Sequence, residues 1–341
     1  MHMADALISP AVGGILWVAS AGLLAHCARR VRKTLDDTRV PLMGVIGAFI
    51  FTAQMINFSI PATGSSGHLG GGLILAILLG PHAAFVTLAS VLAVQAMFFA
   101  DGGLLALGCN IFNLGFFPAF VAYPLVFKPI LGRARGGARL WAGSVLAAVL
   151  GLQLGACGVV IETTLSGLSD LPFRSFALLM LPIHLAIGVV EGVATAAVVA
   201  FVLRTRPEAM ADAKAGPVVA VSRRRVAAGF LIATVVIGGG VSWFASTHPD
   251  GLEWAVGKTS GREALASPNE GVHARLANVQ KQTAFLPGYE FTARSTDDAS
   301  AADRWPSVSA GTTVAGLAGG LIVLVLAGLA GRGLRRRRSA A

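Results

Sequence analysis

Apolar runs recur along the whole chain, each closed by a short cluster of basic, small or turn-forming residues. Taking each run as a helix predicts spans near 11–27, 41–59, 69–80, 82–99, 104–127, 140–162, 176–203, 226–245 and 312–331. The stretch 69–99 is too long for one helix and is interrupted at Gly80-Pro81, where proline cannot continue a helix begun before it. Its first half falls short of the roughly 20 residues that cross a bilayer. A helix that short is tolerated where it is buried among others or leads into a site.

Polar positions organise these runs. The first charge is Asp5, the apolar run follows, and Arg29, Arg30, Arg32 and Lys33 come only after it. A cleaved signal has the opposite order, so the N-terminus is expected to persist on the extracytoplasmic face. Alternating from there, the inner loops carry those four residues and Arg39; then Lys128, Arg133, Arg135 and Arg139; then Arg204, Arg206, Lys214 and Arg223 to Arg225; then Arg332 and Arg335 to Arg338. Most of the 27 Lys and Arg thus fall inside, as positive-inside topology requires, and the C-terminus is cytoplasmic. Merging 69–99 into one span would invert everything after it and put most of the basic clusters outside.

The organisation changes near residue 215. Residues 1–208 hold seven predicted helices with short loops, and 209–225 form a small, polar cytoplasmic linker. Residues 226–341 hold two helices flanking an extracytoplasmic segment of roughly 65 residues, too long for a simple connection. The predicted fold is therefore an all-α polytopic membrane protein, a seven-helix core followed by a two-helix module in a multi-pass plasma membrane topology.

Composition agrees: 55% of residues are hydrophobic and 13% charged, with mean hydropathy +0.71, outside the soluble range. The net charge of +10 lies in the inner loops and lacks an aromatic-interleaved basic groove, which argues against nucleic acid. Cys27, Cys109 and Cys157 lie in or beside apolar runs without CxxC spacing and read as small packing residues.

Candidate chemistry collects on the predicted outer face. Met1-His2 offers an α-amine, the His2 amide nitrogen once deprotonated, and the His2 imidazole Nδ1, which close two chelate rings around one divalent ion. Between the second and third runs lies the loop from Asn57 to Gly72, rich in Gly and Ser, with His68 at the foot of the short helix. Four nitrogens in a plane suit Ni(II) or Cu(II), and Co(II) can adopt the same arrangement. Zinc prefers a tetrahedron. Asn57, Ser65, Ser66, Asp101 and Asn110 are the polar candidates for orienting the ligands, though Asp101-Gly102-Gly103 also reads as a plain turn. His184 and Glu191, seven apart on one helix face, are expected to bond each other or a neighbouring helix rather than to ligate metal. His26 and His82 lie toward the inner face, and His248 and His273 fall in the second module.

In order along the chain come Met1-His2 with Asp5 and Pro10; Ile60-Pro61-x-x-Gly64-x-Ser66-Gly67-His68; Gly80-Pro81; Gln95; Asp101-Gly102-Gly103; Leu107-Gly108-x-Asn110; and His184-x-x-Ile187-Gly188-x-x-Glu191-Gly192. These resemble the CbiM/NikM family, the substrate-binding S components of energy-coupling-factor transporters for cobalt and nickel, over roughly residues 1–204. His248-Pro249-Asp250-Gly251-Leu252-Glu253-Trp254 resembles the PDGLE motif of the NikN-like accessory component, often fused behind nickel-type S components. The resemblance implies Ni(II), with Co(II) as the alternative, held by the Met1 amine, the His2 amide and imidazole, and His68. It also implies a transmembrane coupling subunit and cytoplasmic ATPases as partners. The chain departs from the family at its start: Met1-His2-Met3-Ala4-Asp5-Ala6 stands where Met-His-Ile-Pro-Asp-Gly is usual. The chelating residues remain while the turn-shaping Pro and Gly are absent, so a looser loop must be ordered on binding.

The chain carries no engine of its own. Gly257-Lys258-Thr259 imitates the end of a phosphate-binding loop, but Gly251 is one residue too far upstream and no apolar strand precedes it. An ion-coupled secondary permease would need intramembrane carboxylates, for which Glu191 and Glu162 are the supply. A membrane enzyme would need an open coordination position and a further catalytic group, and none stands beside the four nitrogens.

Overall fold

A computed structural model describes residues 2–34, 40–132, 136–205, 223–262, 265–291 and 305–339. Met1 and most of the predicted linker, 209–222, lie outside the described residues, as do several of the inner-loop cations. The described chain is mostly helical: α1 (Pro10–Thr34), α2 (Val40–Gln54), α3 (Gly72–Leu79), α4 (Pro81–Phe99), α5 (Leu107–Leu131), α6 (Ala138–Ser166), α7 (Phe173–Thr205), α8 (Arg223–Gly239), α9 (Gly251–Ser260), α10 (Gly271–Thr283) and α11 (Ala310–Ser339). Among the described residues, six helices are long and apolar enough to cross a membrane: α1, α4, α5, α6, α7 and α11.

The break at Gly80-Pro81 is present. Gly80 adopts φ +84° and ends α3, and Pro81 opens α4, where its missing N–H costs nothing. All eight residues of α3 are buried, which is the setting a short apolar helix needs. The predicted second span ended at 59, but α2 stops at Gln54. Residues Phe58–Ile60 instead pair antiparallel with Ser65–Gly67, with Ser59 opposite Ser66, as strands β1 and β2. The turn between them uses positive φ at Ala62 and Gly64. This hairpin carries the chain from α2 to His68.

The polar segment after α8 is not irregular throughout, since α9 and α10 form within it. Asp250 caps α9 by accepting from the amides of Leu252 and Glu253, while the Glu253 side chain accepts from the Asp250 amide, a reciprocal capping box. Glycines let the late helices approach the earlier ones. A Cβ on Gly316 would fall 2.6 Å from the Gly238 Cα, joining α11 to α8, and one on Gly319 would enter the Phe51 ring of α2. Such small-residue contacts bring helices together where lipid supplies no hydrophobic drive.

Candidate metal centre

The fold brings together the two histidines singled out from the sequence. The rings of His2 and His68 lie 4.9 Å apart between centroids, tilted by 37°, at the edge of a cavity of about 650 Å³. His68 Nδ1–H donates to the Leu69 carbonyl at 3.0 Å, which fixes the tautomer and leaves the lone pair on Nε2. Burial pushes the His68 ring down to about 3, and the nearby His2 adds to the effect. The ring is therefore neutral at neutral pH, as a metal ligand must be.

His2 is oriented by Asp101, whose Oδ1 accepts from Nδ1–H at 2.8 Å. Desolvation alone would raise the Asp101 carboxyl, but the His2 ring and the Tyr289 hydroxyl outweigh it and hold the group well below the usual carboxylate range. The opposite nitrogen, Nε2, is buried with no hydrogen-bond partner among the described residues. Asp101-Gly102-Gly103 is thus more than a turn. Gly102 adopts φ +81°, and a Cβ on Gly103 would fall 1.8 Å from Asp5 Oδ1, so only glycine lets the N-terminal segment lie against this loop.

That segment is ordered without the Pro and Gly usual at its start. Met3 N–H donates to Asn110 Oδ1 at 2.8 Å, and the Met3 carbonyl accepts from Asn110 Nδ2 and from the Gly103 amide. Asp5 Oδ1 accepts from the Ala106 amide. Asn110 therefore works on the backbone beside His2 and not on an imidazole. Among the other polar candidates, Ser65 Oγ pairs with Thr63 Oγ1, and Ser66 Oγ donates to the His248 carbonyl. Asn57 serves through its backbone carbonyl, which accepts from the Ser246 amide; its side-chain oxygen is buried without a partner among the described residues.

Of the two arrangements expected for His184 and Glu191, a mutual bond or a contact with a neighbouring helix, the first is not formed. Glu191 and His184 do not bond each other. Both Glu191 oxygens accept from backbone amides, Gly70 at 2.7 Å and Gly71 at 3.1 Å, while His184 Nδ1–H donates to the Met180 carbonyl one turn back. Gln54 Nε2 donates to the Gly70 carbonyl and receives Gln95 Nε2 on its own oxygen. The peptide units directly after His68 are thereby held from three helices, α2, α4 and α7. A sequence signal existed in the Gly70-Gly71-Gly72 run, which leaves amides open to approach.

The second module closes over both histidine-bearing segments. Ser66 N–H donates to the Pro249 carbonyl at 2.8 Å, and Trp254 Nε1–H donates to the Thr63 carbonyl at 2.9 Å. From α10, Gln280 Nε2 reaches the Gly102 and Ala96 carbonyls, and buried His273 donates to the Ile8 carbonyl at 2.9 Å.

Residues 2–209 match the family described as CbiM, cobalt uptake substrate-specific transmembrane region. The chain belongs to the CbiM family. Its residues 224–336 match the PDGLE domain, so the CbiM region is fused to a NikN-like module. Similar proteins include the fused nickel transport protein NikMN of Rhodobacter capsulatus, 29% identical over 318 residues, covering 85% of this chain and 88% of that protein. The cobalt transport protein CbiM of Sorangium cellulosum is 32% identical over 223 residues, covering 61% of this chain and 93% of that protein. The CbiM region also superposes on a crystal structure of a transition metal transporter, with TM-score 0.54 and 31% identity over 61% of this chain and 95% of that one.

Proposed function

We propose that this chain is the substrate-specificity component of an ATP-driven energy-coupling-factor importer, capturing Ni(II) at the extracytoplasmic face, with Co(II) as the alternative cargo. The observation that carries the reading is the approach of His2 and His68 to 4.9 Å on a family background of cobalt and nickel transport. The proposed donors are the Met1 amine, the His2 amide and Nδ1, and the His68 imidazole through Nε2. Nitrogen donors of this kind favour late first-row divalent ions over Mg(II) or Ca(II). The chain is not an enzyme in this reading. ATP hydrolysis belongs to cytoplasmic subunits, and a transmembrane coupling subunit passes the resulting movement to the site. The N-terminus faces outward and the C-terminus inward, because the basic clusters alternate in that sense.

A secondary permease would need an intramembrane carboxylate that is free to exchange its ion. Glu191 is committed to Gly70 and Gly71, and Glu162 accepts from Asn113, which favours the importer reading. The metal site is tested by the metal content of the purified chain, measured by mass spectrometry for wild type, His2→Ala, His68→Ala and a chain with one residue added ahead of Met1. Nickel or cobalt should co-purify with wild type and be lost from all three variants. Retention by the extended or His68→Ala chain would overturn the donor set. Uptake into liposomes without ATPase subunits would favour the permease.

A further inference from the structure

Tyr289 belongs to the second module, yet its hydroxyl donates to Asp101 Oδ2, the carboxylate whose other oxygen holds His2 Nδ1. The placement is built. The Tyr289 ring stacks on Phe99 at 5.1 Å and 18° and meets Phe51 edge-on. Its backbone is at φ +65°, a left-handed conformation that a residue of this size adopts only when its surroundings impose it. Leu286 N–H donates to the Phe98 carbonyl just ahead of it, and Gln280 secures the adjacent Gly102 carbonyl.

The pairing has a consequence for loading. Among the described residues, Asp101 has two side-chain partners, the His2 Nδ1–H and the Tyr289 O–H. A chelate through Nδ1 needs the lone pair that the proton now occupies, so His2 must give that proton up to solvent at the cavity it lines and turn away from Asp101, which stays ionised. The Asp101 side chain is only about a quarter exposed (26%), so losing a hydrogen-bond partner there is only partly made good by water. We propose that Tyr289 is a positioning residue for the metal site, keeping Asp101 hydrogen-bonded when His2 turns from that carboxylate to the ion. The role rests on the metal reading above, and it places a residue of the accessory module one hydrogen bond away from a ligand-bearing contact. Because Asp101 depends more on Tyr289 after His2 has left, losing the hydroxyl weakens the loaded state more than the empty one.

The test uses the full chain in lipid nanodiscs with Ni(II) as probe, in wild type, Tyr289→Phe, Asp101→Asn and the double variant. Phenylalanine keeps the stack on Phe99 and removes only the hydroxyl. Competition against a chelating dye gives affinity, and the ligand-field band of planar Ni(II) reports the donor set. Tyr289→Phe should bind about tenfold more weakly, the size of a lost hydrogen bond to a charged acceptor, with the band unmoved. On the Asp101→Asn background the same change should alter affinity by less than about twofold, since the two residues act in series. Wild-type affinity in Tyr289→Phe, or an equal loss on both backgrounds, overturns the proposal. If wild type itself holds no Ni(II), the metal reading fails, and the ¹⁵N signal of His2 Nδ1 in metal-free protein decides separately. Movement of that signal on Tyr289→Phe upholds the link through Asp101, and an unmoved signal overturns it.

Discussion

The amide of Gly70 donates to the carboxylate of Glu191 at 2.7 Å across 121 residues of sequence. Gly71 donates to the other carboxylate oxygen, so one buried side chain from α7 fixes both peptide units that lead from His68 into α3. Glycine is required at Gly71, whose φ is +75° and whose Cβ would meet Ile50 at 2.6 Å. The loop after His68 is therefore held by backbone recognition, with side-chain identity mattering at the carboxylate.

Glu191→Gln should weaken Ni(II) binding about 10- to 100-fold, the usual cost of losing a group that orients a ligand. Glutamine keeps one acceptor oxygen and turns an NH₂ toward the second amide, leaving a buried donor unsatisfied at about 1–3 kcal/mol of stability. Dye competition and thermal unfolding measure the two effects. Unchanged affinity with lowered stability would assign Glu191 to the fold alone.

Gly103→Ala places a methyl group within the Asp5 carboxylate, so the N-terminal segment has to move away from the Asp101 loop. Co-purified metal should be lost, while Gly14→Ala, with open space around its Cβ, should retain it. Mass spectrometry of both purified variants checks this, and metal retained by Gly103→Ala would show that the segment can bind without that contact.

Trp254→Phe removes the indole donor to the Thr63 carbonyl while keeping most of the ring. The PDGLE segment should dock more weakly by about 0.5–1.5 kcal/mol, seen as faster proteolysis within residues 246–291. Ser66→Pro should have a larger effect, because it deletes the backbone donor to Pro249 that ties the hairpin to the second module. Equal proteolysis of both variants and wild type would mean these bonds do not hold the segment.

His68 gives a pH dependence with a definite sign. Its ring is held at about 3 in the folded chain against 6.5 for an ordinary histidine, so between those values the unfolded chain binds the extra proton. The contribution of His68 to metal-free stability is present above about 6.5 and is progressively lost as pH falls below it. Melting temperature should therefore decline between pH 7 and about 5 more steeply in wild type than in His68→Gln, which cannot titrate. Parallel curves would place the titration elsewhere.

Much of the helical pattern was legible because a bilayer-spanning run leaves a signal of length and composition, and Gly80-Pro81 declares its break through backbone chemistry. His2, His68, Asp101 and Asn110 were also legible, as polar residues stranded between apolar runs on one predicted face. What those residues do was not. Asn110, one of the polar groups expected to orient the ligands, acts on the Met3 backbone next to His2; His184 and Glu191 share a helix face but satisfy different backbone groups. The hairpin at 58–67 escaped notice because three-residue strands have no periodicity to read, and α2 ends earlier than its apolar run suggests because Phe58 and Ile60 fit a strand equally well.

The sequence by itself determined the apolar spans, the spacing of the basic clusters between them and the inventory of polar side chains, because hydrophobic length and residue chemistry are local properties. Only the tertiary structure decided which partners the polar groups take: Glu191 with Gly70 and Gly71, Ser66 with Pro249, and Tyr289 with Asp101. Each joins segments more than a hundred residues apart through a hydrogen bond whose value depends on burial. Burial is created only when the helices pack.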